Sequence, residues 1–109
     1  MPKFNTGIEL KLYAALKELD IPFEPQKQVL GICIPDAVVE PNIAIFADGD
    51  YWHSLPKSRR RDAYANKMLR EAGWVVLRLK EHTINNAMAT VKQTIVDTIK
   101  GIVYSASNN

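Results

Sequence analysis

Hydrophobic residues recur at helical spacing near both ends of the chain. Near the start, Thr6 and Glu9 have the spacing of a capping box, and the apolar positions around them predict a helix over residues 6–20. Near the end, a second apolar stripe predicts a helix over residues 86–103. The members of this second stripe are Met88, Val91, Ile95, Ile99 and Ile102.

Apolar runs typical of strands occupy the middle of the chain. They cover residues 28–34, where Gly31 breaks the run, and residues 36–39, 43–47 and 74–79. Residues 43–47 are apolar throughout, which indicates a strand covered on both faces of its sheet. Residues 59–72 have a helical pattern that Gly73 ends. The sequence therefore predicts one α/β domain over residues 1–109, ordered α-β-β-β-α-β-α, with a frayed tail at residues 105–109.

Composition adds a basic segment to this picture. The net charge is only +2, but residues 57–70 contain six basic residues and one acid, Asp62. Such a cluster is typical of a surface that binds a phosphate-rich ligand. The single Cys33 excludes an internal disulfide and a cysteine-rich zinc site, and no segment has the pattern of a signal peptide or a membrane span. We therefore expect a cytoplasmic protein with no membrane partner.

The candidate chemistry lies where residues 36–39 and 43–47 form a hairpin. A two-residue turn centred on Pro41 and Asn42 would pair Asp36 with Ala47, and paired residues have Cβ atoms about 4.5–5.5 Å apart. The Asp36 carboxylate and the Ala47 backbone carbonyl would then bind one cation. Oxygen ligands of this kind suit Mg²⁺, with water and substrate phosphate completing its shell.

Two further acids are candidates for the same site. Glu9 lies on the flank of the first helix and points toward the sheet edge, where it would bind a metal-bound water or a second ion. The alternative is that Glu9 only completes the capping box. Asp48 is an additional candidate ligand, although Asp48, Gly49 and Asp50 also suit a simple turn.

His53 and Asp62 are the candidates for proton transfer. The ordinary pKa of histidine, about 6.5, suits the removal of a proton from water near neutral pH. A carboxylate can fix the tautomer of such a base, and Asp62 follows nine residues later. The alternatives are an exposed loop histidine and an acid that stabilises the first turn of its helix.

Aromatic and basic residues next to His53 are candidates for nucleic-acid binding. Tyr51 and Trp52 would stack on bases or wedge between them, although aromatic residues are more often core anchors. The basic residues would clamp a phosphate backbone. They are Lys57, Arg59, Arg60 and Arg61.

In this order, the residues resemble the very-short-patch repair endonucleases and the related EDxHD branch of the PD-(D/E)xK nuclease superfamily. Five segments that together span most of residues 6–81 are similar to those proteins. They are Thr6-Gly7-Ile8-Glu9, Pro35-Asp36-Ala37-Val38-Val39, Ile45-Phe46-Ala47-Asp48-Gly49-Asp50-Tyr51-Trp52-His53, Arg61-Asp62, and Leu69-Arg70-Glu71-Ala72-Gly73-Trp74-Val75-Val76-Leu77. The resemblance implies a restriction endonuclease-like core, with a mixed sheet of about four strands flanked by helices.

The resemblance also implies roles for single residues. The EDxHD pattern falls on Glu9, Asp36, Ala47, His53 and Asp62. In such enzymes the acids and the carbonyl hold Mg²⁺, and the histidine and aspartate transfer the proton. The aromatic pair is similar to the base-stack wedge of the repair enzymes. Those enzymes have a second histidine where Asp48 stands, and cysteines for a structural zinc, so no zinc is expected and the EDxHD branch, associated with homing-type cleavage, is favoured.

Sequence and resemblance together predict a Mg²⁺-dependent DNA endonuclease that nicks DNA or makes homing-type cuts, with Mn²⁺ able to substitute. An intracellular, nucleoid-associated protein of bacterial or phage origin is expected. A non-catalytic DNA-binding or assembly module on a nuclease fold and a ribonuclease of the same fold stay open as alternatives. The stripe of the last helix could form a homodimer, but packing against its own sheet is the simpler outcome.

Overall fold

The computed structural model describes the backbone of residues 6–107 and the side chains of residues 7–51 and 54–102. Its elements, in chain order, are α1 (Thr6–Glu18), β1 (Glu24–Pro25), β2 (Ala37–Val39), β3 (Ile43–Asp48), α2 (Asp50–Ser54), α3 (Pro56–Glu71), β4 (Val75–Lys80), α4 (Glu81–Asn86) and α5 (Met88–Ser107). None of these helices, within the part of the chain described, is both long and apolar enough to cross a membrane.

The strands form one mixed sheet of four strands in the order β1-β2-β3-β4. The two pairings among β1, β2 and β3 are antiparallel, whereas β3 and β4 are parallel. Side chains of β3 alternate between the two faces. Ile43 and Ile45 pack with α1, α4 and α5, and Phe46 packs toward Leu69 of α3. The predicted mixed sheet between helices is therefore confirmed, with β3 covered on both faces as its apolar run predicted.

The predicted strand over residues 28–34 is wrong. Residues 29–33 form a tight turn in which the Val29 N–H donates to the Cys33 carbonyl at 2.9 Å. Leu30 and Gly31 both have positive φ, at 54° and 67°, so the chain reverses there instead of extending. The first strand of the sheet is instead the short β1.

The predicted hairpin register is wrong by one residue. Ala37 pairs with Ile45 and Val39 with Ile43, so three residues, 40–42, form the turn. The turn includes a cis peptide bond between Glu40 and Pro41. Asn42 belongs to the turn because it contacts the start of β4, where its side-chain amide donates to the Gly73 carbonyl at 2.7 Å.

Two helix predictions are corrected as well. Helix α3 begins at Pro56, three residues before the predicted start, and proline has the φ suited to a first helical position. Lys57 therefore lies in the helix together with the three arginines. A separate short helix, α4, precedes Ala87 and was not predicted. The predicted last helix is α5, which runs from Met88 to Ser107. Its apolar stripe contacts the core beside α1 and the sheet, as the simpler alternative predicted. A homodimer through this helix stays a prediction.

Gly73 provides a test of the local backbone. Gly73 follows α3 and has a φ of 88°. No atom lies within 4 Å of the position that a Cβ would take, so Gly73→Ala should cause no steric clash. The expected cost of this substitution is therefore backbone strain alone. We expect a loss of about 1 kcal/mol in the free energy of unfolding, measured with urea.

Gly101→Ala is the matched control. Gly101 lies in α5 with equal space around it but no positive φ, so alanine should stabilise the protein by roughly 0.5–1 kcal/mol. Equal effects of the two substitutions would contradict the left-handed conformation at Gly73.

Candidate active site

Asp36 lies just before β2, and its carboxylate is buried, with 2% of the residue exposed. Its Oδ2 atom accepts a hydrogen bond from the Ala47 N–H at 2.7 Å. Its Oδ1 atom accepts one from Nε2 of Gln26 at 3.3 Å. Asp36 is therefore beside Ala47 as predicted, but the link is a side-chain hydrogen bond and not a strand pair.

The Ala47 carbonyl lies on the same side of β3 as this hydrogen bond. In a strand, the N–H and C=O of one residue point toward the same neighbouring strand. The Asn42 carbonyl accepts a hydrogen bond from the Val75 N–H at 2.9 Å and so faces β4. Successive residues of a strand face opposite neighbours, so Ile43, Ile45 and Ala47 face the β2 side. The Ala47 carbonyl and the Asp36 carboxylate are therefore adjacent oxygen groups at the end of the β2–β3 pair.

Glu9 approaches this edge from α1. It is buried, with 9% of the residue exposed, although it is a charged residue. Tyr13 follows one helical turn later on the same face, and its hydroxyl donates to the Asp36 carbonyl at 2.8 Å. The helix face that holds Glu9 therefore also holds Tyr13, the residue that contacts Asp36. The role of Glu9 at the metal site stays a prediction.

These groups suit a hard divalent cation. Two buried carboxylates and a backbone carbonyl are the oxygen donors that Mg²⁺ or Mn²⁺ prefers. Among the residues whose placement is described, no group of three Asp, Glu, His or Cys side chains is arranged to hold a metal ion. The predicted site needs only two carboxylates and one carbonyl, so water and substrate would complete the shell.

Arg78 binds several side chains on the face of the sheet that packs against α3. Its Nη1 atom donates to Oδ1 of Asp48 at 2.9 Å, and its Nε atom donates to Oδ1 of Asn66 at 2.7 Å. The same Nη1 lies 3.7 Å from Oδ2 of Asp62, and the guanidinium carbon lies 4.0 Å from the centre of the Phe46 ring. The sequence analysis missed this residue, although one arginine inside the apolar strand β4 signals a buried ion partner.

Asp62 and Asp48 therefore lie together on the α3 side of the sheet. Asp62 is in the second turn of α3, whose first turn has no acid, so it does not stabilise the start of this helix as the alternative proposed. Asp48 faces the guanidinium of Arg78. The backbone of His53 lies in α2, but the side chains of Trp52 and His53 fall outside the described residues. The proton-transfer pair and the aromatic wedge stay predictions.

A long-range contact fixes the start of α2. The Asp50 N–H donates to Oε1 of Glu81 at 3.0 Å, and Glu81 is the first residue of α4. A carboxylate at a helix N-terminus is favourable because the first N–H groups have no partner within the helix. Sequence reasoning did not identify Glu81, because it is remote in sequence from the helix that it caps.

The predicted DNA-binding residues lie on the outer surface. Lys57 and the three arginines are exposed on the first turns of α3, and Tyr51 is exposed on α2. A groove of about 530 Å³ runs beside them, lined by Pro56, Arg59, Arg60, Asp62, Ala63 and Asn66. The groove thus joins the basic surface to the acid that Arg78 contacts.

Cys33 lies close to this face but is not equipped as a nucleophile. Burial raises the pKa of its thiol, the positive charge of Arg78 lowers it, and the negative charge of Asp62 raises it. Because desolvation is the largest effect, the thiol is protonated at neutral pH and unreactive.

A family model and two known proteins match this chain. A model of the family REase_MTES_1575 matches residues 9–99. The type II nicking enzyme V.NaeI of Lentzea aerocolonigenes is 34% identical in a match that covers 68% of this chain. The chain spans 57% of the length of that relative. The catalytic domain of the homing endonuclease I-Bth0305I superposes with a TM-score of 0.72 at 27% identity, covering 81% of this chain and 88% of that domain.

These similarities confirm the predicted α/β restriction endonuclease-like fold and support the PD-(D/E)xK nuclease superfamily. Nucleases of this fold generally use divalent metal ions. The very-short-patch and EDxHD assignments within the superfamily stay predictions.

Arg78 can be tested by its effect on stability. We expect Arg78→Met to lower the free energy of unfolding by about 3 kcal/mol, because two carboxylates lose their shared guanidinium. In a double-mutant cycle with Asp48→Asn, the coupling energy should be about 1–2 kcal/mol. Denaturant unfolding measures both quantities.

Arg70→Met is the control, because Arg70 is exposed at the end of α3. It should change the stability by less than about 0.5 kcal/mol. The assignment of Arg78 fails if both arginine substitutions cost the same.

Proposed function

The chain belongs to the REase_MTES_1575 family of restriction endonuclease-like proteins, and from this premise we propose that it is a divalent-metal-dependent DNA endonuclease. The activities of the nicking enzyme and of the homing endonuclease support hydrolysis of a DNA phosphodiester bond. Mg²⁺ is the proposed ion, and Mn²⁺ is expected to substitute for it.

The observation that supports this proposal best is the buried pair of Asp36 and Ala47. A carboxylate with 2% exposure is costly unless its charge is compensated, and here it is fixed beside a backbone carbonyl by a short hydrogen bond. Asp36 and the Ala47 carbonyl would hold the ion, and Glu9 would bind its water or a second ion. When bound there, the ion neutralises the charge that develops on the scissile phosphate.

Proton transfer is assigned to His53 and Asp62. His53 lies on α2, the helix whose first N–H group is bound by Glu81. In the proposed mechanism His53 accepts the proton of the attacking water, and Asp62 orients the imidazole. Arg78 contributes by holding Asp62 against the sheet through their 3.7 Å ion pair.

The substrate is proposed to lie along the basic turns of α3. Lys57, Arg59, Arg60 and Arg61 would contact backbone phosphates, while Tyr51 and Trp52 would stack on bases or wedge between them. One set of candidate catalytic residues per chain favours a single-strand nick, which agrees with the similarity to a nicking enzyme. A double-strand break would need two copies of the chain.

Asp36→Asn tests the metal site. The amide of asparagine keeps an oxygen that can accept the Ala47 N–H, so the fold should persist while the ligand charge is lost. We expect nicking of supercoiled plasmid to fall by about a thousandfold, equivalent to several kcal/mol of transition-state stabilisation. Duplex binding measured in Ca²⁺ should change by less than about tenfold.

Asp50→Asn is the matched control, because it removes an exposed acid beside the site that is not a proposed ligand. Its nicking rate should stay within a few-fold of the wild-type rate. Excess EDTA should stop the wild-type protein completely. Near wild-type nicking by Asp36→Asn with added Mg²⁺ would contradict the assigned ligand, and wild-type nicking in EDTA would contradict metal dependence.

The proposed phosphate contacts predict a change in salt dependence. A plot of log K for duplex binding against log salt has a slope of about −0.9 for each neutralised phosphate. Arg60→Ala should therefore make the slope less negative by about 0.9. Lys100→Ala, which removes an exposed lysine on α5, should leave it unchanged. Equal slopes for all three proteins would remove Arg60 from the binding surface.

A further inference from the structure

The backbone of Asp36 is held by groups outside the sheet. The ladder of β2 begins one residue later, at Ala37. The Asp36 carbonyl instead accepts hydrogen bonds from the Tyr13 hydroxyl at 2.8 Å and from the Gln26 N–H at 3.2 Å. Together with the Ala47 N–H on its carboxylate, these contacts determine where the candidate ligand points.

Gln26 binds Asp36 through both its backbone and its side chain. Its Nε2 atom donates to Oδ1 of Asp36 at 3.3 Å and to the Tyr13 hydroxyl at 3.3 Å. An amide nitrogen has two hydrogens, so both are used. Because a carboxylate can only accept while it is ionised, the nitrogen and not the oxygen of this amide must face Asp36.

The backbone conformation of Gln26 is unusual. It has φ of 54°, in the left-handed region that favours Gly, Asn and Asp over other residues. A turn alone would be better served by one of those three. Glutamine nevertheless stands there, and the group that its longer amide side chain reaches is the carboxylate of Asp36.

A neutral amide is also a suitable partner for a carboxylate that binds a metal ion. An exposed Gln26 donating to a buried Asp36 approaches the carboxylate from the solvent side, where an ion would enter. A lysine or arginine at this position would neutralise the charge needed by the cation. A neutral amide fixes the orientation of the carboxylate and leaves its charge available.

We propose that Gln26 is a positioning residue that acts through Asp36 and sets the affinity of the site for its divalent ion. This inference rests on the proposed function, because it takes Asp36 as a ligand. Tyr13 supports Gln26 by accepting its second N–H, and Tyr13 is itself fixed by stacking on Phe23, with ring centres 5.2 Å apart.

Gln26→Asn tests the contact between the amide and Asp36 separately from the backbone conformation of the turn. Asparagine accepts a positive φ more readily than glutamine, but its side chain is one methylene shorter and falls short of Asp36. Its melting temperature in EDTA should therefore equal or exceed that of the wild type. Its dissociation constant for Mn²⁺, measured from the EPR signal of the free ion, should rise by about 10-fold or more.

Three companion variants complete the measurement. Gln26→Gly favours the same backbone conformation without any amide, and should lose Mn²⁺ affinity to the same extent even if Gln26→Asn folds poorly. Gln28→Asn makes the same change at an exposed glutamine two residues later, and should bind Mn²⁺ like the wild type. Asp36→Asn should show no binding at this site.

The outcomes distinguish the two claims. Wild-type Mn²⁺ affinity in Gln26→Asn and Gln26→Gly, with binding lost in Asp36→Asn, would overturn the role of Gln26 and leave the proposed function standing. Equal Mn²⁺ binding by the wild type and Asp36→Asn would overturn the proposed ligand, and with it this inference. Weaker binding confined to the Gln26 and Asp36 variants supports both.

Discussion

The hydrogen bond from the Ala47 amide to the Asp36 carboxylate closes the end of the β2–β3 pair. It extends the pairing of the two strands by one step, with a side chain acting where the backbone ladder has stopped. A hydrogen bond to a charged group contributes about 1.5–3 kcal/mol, and this one also compensates for burial of the charge. Because the bond fixes the Asp36 carboxylate beside the Ala47 carbonyl, it brings together the two oxygen ligands of the proposed metal site.

The other face of the sheet depends on a second charged residue, Arg78, which is partly buried. Arg78 joins the end of β3, the middle of α3 and β4 through Asp48, Asp62 and Asn66. The two charged groups contact consecutive residues of β3, since Asp36 binds the Ala47 N–H and Arg78 binds the Asp48 carboxylate. The proposed metal site and the acid proposed to assist His53 are therefore both anchored to β3, and a rigid strand holds two such sites in a fixed arrangement better than loops would.

Much of the fold could be predicted from local pattern. The continuous apolar run of β3, the strand that became β4 and the helical stripe of α5 all rest on periodicity within one element. The hairpin register could not be predicted, because Asn42 in the turn is hydrogen-bonded to the carbonyl of Gly73, a residue far along the chain. The segment over residues 28–34 failed for a different reason, since two successive residues with positive φ reverse a chain that is apolar enough for a strand.

The candidate site could also be predicted only in part. Asp36, Ala47 and Glu9 were identified from their order and from the resemblance, and the structure places Asp36 against Ala47 despite the wrong register. Gln26 and Arg78 were missed, because each acts on a residue distant in sequence. Only the completed fold shows that the exposed Gln26 binds the buried carboxylate of Asp36, and that Arg78 binds the partly buried carboxylates of Asp48 and Asp62.

The most direct test of the central claim is a crystal structure of the protein with a short DNA duplex and Mn²⁺, measured at a wavelength where Mn²⁺ scatters anomalously. We expect an anomalous peak bound by the Asp36 carboxylate and the Ala47 carbonyl, next to a DNA phosphate. A peak bound by other residues, or no peak next to Asp36 and Ala47 in crystals whose DNA has been cut, would contradict the proposed metal site.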